Sequence, residues 1–173
     1  SSSCFCSTSS FAPGGVGMAL PDLDEALRLN PKYAFAYSER GHAYLMKKDY
    51  EKTIADCDEA IRLNPKFSVP WTNRAIAYHA KRQLDQALAD VNESLRLNPK
   101  GEKAWNARGN IHGSLLNYDK ALSDYSEAIR LQPRFAEAYY NRGQTYYRRK
   151  AFDSALADLG EAIRLNPKYY QAY

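Results

Sequence analysis

Arg28-Leu29-Asn30-Pro31-Lys32 returns as Arg62-Leu63-Asn64-Pro65-Lys66, as Arg96-Leu97-Asn98-Pro99-Lys100 and as Arg164-Leu165-Asn166-Pro167-Lys168. Arg130-Leu131-Gln132-Pro133-Arg134 fills the remaining slot, and each proline follows the last by 34 residues. A fixed period of this length marks an array of supersecondary units rather than one globular core. The chain of 173 residues therefore reads as a quasi-one-dimensional stack. Its function is to be sought on the surface that the stack makes.

Between the phrases, each unit predicts two helices of about 14 residues, each roughly 21 Å long. In the first unit, helix A spans about 34–47 and helix B about 50–63. The short link at Lys48-Asp49 forces an antiparallel hairpin. Asn-Pro closes helix B, because proline cannot continue a helix and disfavours a helical residue before it. Full units are expected at 34–67, 68–101, 102–135 and 136–169. Residues 18–33 supply only a helix B, and 170–173 open a fifth unit.

Residues 1–17 differ. Six of the first ten are serine, no charge precedes Asp22, and Pro13-Gly14-Gly15 follows. The segment predicts a disordered tail, either an incomplete N-terminus or a natural linker. It lacks the basic start and apolar stretch of a signal peptide. No apolar run approaches the roughly 20 residues needed to span a bilayer. Together these set the expectation of a cytoplasmic chain that does not enter membranes.

The net charge is +4, from 24 basic and 20 acidic residues of alternating sign. A nucleic-acid binder more often gathers its basic residues on one face, so no nucleic-acid partner is expected. Cys4, Cys6 and Cys57 are too few and too poorly placed for a disulfide framework. No catalytic constellation is present. His112 and Cys57 fall at core positions. His42 and His79 have no obvious third ligand, which is too few for zinc. No cofactor is expected.

Spacings of three and four place further residues on shared helix faces. Tyr37, Trp71, Trp105 and Tyr139 are followed by the small residues Gly41, Ala75, Gly109 and Gly143, and then by Tyr44, Tyr78, His112 and Tyr146. Helix B carries Thr53, Ala87, Ala121 and Ala155, then Cys57, Val91, Tyr125 and Leu159, then Ala60, Ser94, Ala128 and Ala162. Small residues let two helices cross closely while aromatics fill the space beside them. This pattern resembles the tetratricopeptide repeat over about 18–173. The resemblance implies an all-α solenoid: a right-handed superhelix of antiparallel helix hairpins with a concave groove lined by the A helices.

One departure from that family is consistent. Arg40, Arg74, Arg108 and Arg142 stand where the consensus is apolar. Asp22, Asp56, Asp90, Asp124 and Asp158 stand where an aromatic is common. Structural ion pairs are expected, in the register Asp22–Arg40, Asp56–Arg74, Asp90–Arg108 and Asp124–Arg142. Pairing within one repeat is the other arrangement that the spacing allows.

The resemblance also implies which side chains face the groove. They are Phe35, Ser38, Glu39, His42, Leu45 and Met46, then Val69, Thr72, Asn73, Ile76, His79 and Ala80. The third unit gives Lys103, Asn106, Ala107, Asn110, Gly113 and Ser114, and the fourth Glu137, Tyr140, Asn141, Gln144, Tyr147 and Arg148. Asn73, Asn106, Asn110, Asn141 and Gln144 form an amide row, and an amide can both donate to and accept from a peptide backbone. The family's clamp on chaperone C-terminal tails needs cationic donors at set places. Those places hold Ser38, His42, Asn73, Lys103 and Ala107, which argues against such a tail. The expected function is a non-enzymatic scaffold for a protein or peptide ligand. Two alternatives stand beside it. One is a substrate-targeting segment of a larger glycosyltransferase, phosphatase or prolyl isomerase. The other is a homo-oligomer that stacks through uncapped repeat ends.

Overall fold

The computed structural model describes residues 20–167. The tail at 1–17 with Cys4 and Cys6, residues 18–19, and the opening of a fifth unit at 170–173 lie outside the described residues. Nine helices and no strand occur among the described residues: α1 (Leu20–Leu29), α2 (Ala34–Met46), α3 (Tyr50–Leu63), α4 (Ser68–Ala80), α5 (Leu84–Leu97), α6 (Glu102–Ser114), α7 (Tyr118–Leu131), α8 (Ala136–Arg148) and α9 (Phe152–Leu165). The first helix of each hairpin packs on its own second helix and on the second helix before it. The first helices α2, α4, α6 and α8 also pack against one another. No comparable packing joins the second helices among the described residues. A stack held close on one side and spread on the other must curve. The first helices therefore line its concave face.

Each hairpin link closes in the same way. Lys48, Arg82, Leu116 and Lys150 adopt φ of 60–63°. Lys48 N–H donates to Leu45 C=O at 2.9 Å and Asp49 N–H to Tyr44 C=O at 3.0 Å, and the other three links repeat this pair. This is a Schellman closure, which satisfies the last carbonyls of the helix through one left-handed residue. Glycine usually takes that place; here it is lysine, arginine or leucine.

The recurring phrase has a role for most of its letters. Asn30, Asn64 and Asn98 accept from the backbone N–H of Lys32, Lys66 and Lys100 at 3.1–3.2 Å, bridging the proline that lacks a donor. The carbonyls of Pro65 and Pro99 accept from the indoles of Trp71 and Trp105 at 3.2 and 2.8 Å. Arg28, Arg62, Arg96, Arg130 and Arg164 pair with glutamates three residues earlier, all on exposed surface.

The Arg/Asp pairs form, but their register differs from the expected one. Arg40, Arg74, Arg108 and Arg142 each make two hydrogen bonds, at 2.7–3.0 Å, to Asp56, Asp90, Asp124 and Asp158 of the same hairpin. The remaining nitrogen, Nη1, reaches the preceding second helix two residues past the expected aspartate. There it meets Asp24, Asp58, Asn92 and Ser126 in turn. Asp22 is exposed and is not the partner of Arg40. Each guanidinium also lies 4.5–5.6 Å from the ring of Tyr37, Trp71, Trp105 or Tyr139. One arginine per repeat thus joins both helices of a hairpin, an aromatic ring and the previous hairpin. Hydrogen bonding to Asp56 and Asp158 holds the Arg40 and Arg142 guanidinium pKa values above their ordinary level.

Candidate functional site: the concave face

The first helices do not present all of the expected groove residues to solvent. Ser38 is fully buried, and Thr72 is buried with its hydroxyl 2.7 Å from Ser94 Oγ on α5. Asn73 is buried with no partner for Nδ2 among the described residues. Asn106 is also buried: it donates to Glu137 at 3.0 Å and accepts from Asn141 at 3.1 Å. This relay ties α6 to α8. Part of the amide row is therefore packing between first helices. Glu39, His42 and Ile76 are half-buried, and Lys103 is exposed. Phe35 is exposed and stacks on Phe67 at 6.3 Å, and exposed Tyr147 meets Phe152 edge-on at 5.8 Å.

Some of the accessible members converge on one cleft, while Phe35, Glu39, His42, Ile76, Lys103 and Tyr147 are not in its lining. His79, Asn110, Gly113, Ser114, Tyr140, Asn141, Gln144 and Arg148 line it from α4, α6 and α8, with Tyr125, Thr145, Leu116, Tyr118 and Arg82. Its volume is about 600 Å³. His79 Nε2 lies 2.7 Å from Ser114 Oγ, and Gln144 donates to the Tyr140 hydroxyl at 3.1 Å. Burial, helped by the neighbouring Arg82 charge, lowers the His79 pKa and favours its neutral form.

The cleft exists because of two glycines and one tyrosine. At the place of Tyr125 the other hairpins carry Cys57, Val91 and Leu159. The larger ring lies against Gly109, where an added Cβ would stand 2.5 Å from it. One turn further on, Gly113 holds the place of Leu45, His79 and Tyr147, and a Cβ there would meet only the Tyr125 hydroxyl, at 3.7 Å. That hydroxyl donates to Asn110 at 2.9 Å, and burial first of all raises its pKa, so it remains a neutral donor. The spacing Gly109-x-x-x-Gly113 opposite an aromatic was the available sequence signal for this opening. Arg82, Tyr118 and Thr145 were not legible as cleft residues.

His112 is nearly buried, with Nε2 3.9 Å from Asp124, and burial lowers its pKa. The Cys57 thiol is fully buried and its pKa is pushed up to about 12. Among the described residues no three His, Cys, Asp or Glu side chains converge as a metal site would require. None of the described helices is long and apolar enough to cross a membrane.

Comparison with known proteins agrees with this geometry. Tetratricopeptide-repeat profiles match residues 34–67 and 136–169, a second such profile matches 57–89, and a TPR-repeat profile matches 117–150. No curated protein sequence matches the chain. TTC0263, a TPR protein of Thermus thermophilus, superposes with a TM-score of 0.78 at 21% identity, over 88% of this chain and 84% of that one. YrrB, described as a TPR protein with an unusual peptide-binding site, gives 0.65 at 26% identity, over 88% and 79%. The first TPR domain of Spaghetti (RPAP3), bound to an HSP90 peptide, gives 0.63 at 26% identity, over 68% and 93%. The period, the helix hairpins, the small-residue crossings and these profiles together make the chain a member of the tetratricopeptide-repeat family.

Proposed function

We propose that the chain is a non-catalytic scaffold that holds an extended peptide or protein segment along its concave face, with the repeats divided at 34–67, 68–101, 102–135 and 136–169. The observation that carries this reading is the cleft on α4, α6 and α8. There Asn110, Asn141 and Gln144 expose amides on a surface prepositioned by helix packing. An amide offers both donor and acceptor to a peptide backbone, so binding tolerates varied sequence. Rigid helices lower the ordering cost of binding. Ile76 and the Tyr140 and Tyr147 rings add apolar area along the face. Two structurally similar proteins, YrrB and the Spaghetti TPR domain, are described with a peptide-binding site and a bound peptide.

The test is selection of binders from a random peptide library on the full chain. It is followed by comparison of Asn110→Ala/Gln144→Ala with the unaltered protein. Selected peptides should lose at least tenfold in affinity at a temperature where circular dichroism shows the variant still folded. Equal binding by the variant refutes the groove reading.

A further inference from the structure

Two arginines at the cleft form no ion pair among the described residues, unlike several basic side chains around them. Lys81 pairs with Glu51, Arg149 with Asp119, and the four ladder arginines with their aspartates. Arg82 and Arg148 are exposed, line the cleft, and form no ion pair among the described residues. No aspartate or glutamate is among the residues lining the cleft. The acidic groups whose charge reaches Tyr125 are already engaged, Asp124 by Arg108 and Glu137 by Asn106. Each arginine sits close enough for its charge to act on a cleft side chain: Arg82 on His79 and Arg148 on Tyr125. In the same cleft, the missing side chain of Gly113 leaves room beside the Tyr125 hydroxyl.

We infer that this cleft is a subsite for an internal glutamate or aspartate side chain of the bound peptide, received over Gly113 and paired with Arg148 and Arg82. The inference rests on the groove reading and adds charge selectivity to it. An arginine fork matches a carboxylate in two parallel hydrogen bonds. The Asn110 and Gln144 amides supply further donors. The occupant is a side chain within the peptide rather than its terminus, because Gly113 lies on α6 with the first helices α4 and α8 on either side to hold the flanking peptide.

The test uses three degenerate heptapeptide pools, all acetylated. Two are C-terminally amidated with glutamate or glutamine fixed at the centre, and the third carries the central glutamine and a free carboxyl terminus. Retention on the immobilised full chain is measured at low and high salt. The central-glutamate pool should bind about tenfold more tightly than the amidated glutamine pool, a difference of about 1.4 kcal/mol. The preference should shrink as salt rises. Arg82→Gln/Arg148→Gln should abolish it while leaving the glutamine pool unchanged. Gly113→Leu, which restores the residue of the first repeat, should abolish it without removing charge. Equal binding of the two amidated pools overturns the subsite and leaves the groove reading intact. So does a preference that survives both variants, or one shown only by the free carboxyl terminus. Absence of binding by every pool overturns the groove reading and the subsite together.

Discussion

Replacing Arg74 by alanine removes two hydrogen bonds of 2.7 and 2.8 Å to Asp90, whose side chain is only 8% exposed. It also removes a guanidinium 4.9 Å from the Trp71 ring. A buried carboxylate stripped of its partner costs about 3–5 kcal/mol. Asp90→Ala should cost a similar amount, because it strands the guanidinium instead. The contact across the hairpin boundary is different: Asp58 is 54% exposed, so Asp58→Ala should cost about 0–1 kcal/mol. The apolar pair Arg74→Met/Asp90→Leu should lie within about 2 kcal/mol of the unaltered chain, since it leaves no stranded charge. In urea titrations with a slope of about 2 kcal/mol per molar, the two single losses lower the midpoint by about 1.5–2.5 M. Asp58→Ala should lower it by less than about 0.5 M. If Asp58→Ala proves as costly as Asp90→Ala, the energy resides between hairpins and the assignment of the buried pair is wrong.

Four further outcomes are expected. Alanine at Gly109 should destabilise more than alanine at Gly143 or Gly41. Its Cβ would stand 2.5 Å from the Tyr125 ring, against 3.0 and 3.3 Å for the nearest atoms at the other two. Overpacking costs about 1–3 kcal/mol and the helix gains back at most about 1, and the order is read from thermal midpoints. Lys48→Gly should raise stability by a few tenths to about 1 kcal/mol in chemical denaturation, because glycine takes φ of 61° without steric cost. Asn92→Asp turns the cross-hairpin contact of Arg108 from a neutral acceptor into a charged one, as Asp58 already is for Arg74. It should add about 0.5 kcal/mol that disappears at high salt in the same assay. In a Cys4→Ser/Cys6→Ser background, Cys57 should resist a thiol-reactive disulfide at pH 8 and react only as urea unfolds the chain. Its thiol is buried and its pKa raised, so little thiolate forms.

The repeating hinge was legible because it is written in backbone chemistry. Proline stops each second helix, and asparagine closes the turn around it. The register of the ladder was not, because Arg74 stands 18 residues after Asp56 and 16 before Asp90, and sequence spacing does not say which aspartate its helix face meets. Rotation of the second helix settles it: Asp90 turns inward to Arg74, and Asp58 comes to the hairpin boundary. The groove was legible as a face but not residue by residue. Packing buries Ser38, Thr72, Asn73 and Asn106, with Thr72 held by Ser94 of α5 and Asn106 by α8, and leaves Asn110, Asn141 and Gln144 at the opening. That opening depends on Tyr125 reaching across Gly109 from another helix, a contact between positions 16 residues apart in sequence.

Peptide binding on the concave face is tested most directly by nuclear magnetic resonance. The ¹⁵N-labelled chain is titrated with a peptide selected from a random library, and the side-chain amide signals are followed. Shifts should concentrate on Asn110, Asn141 and Gln144 and on the backbone of α4, α6 and α8, with Asn92 on α5 unmoved. Shifts centred on α3 and α5, with the cleft amides unmoved, would contradict the account.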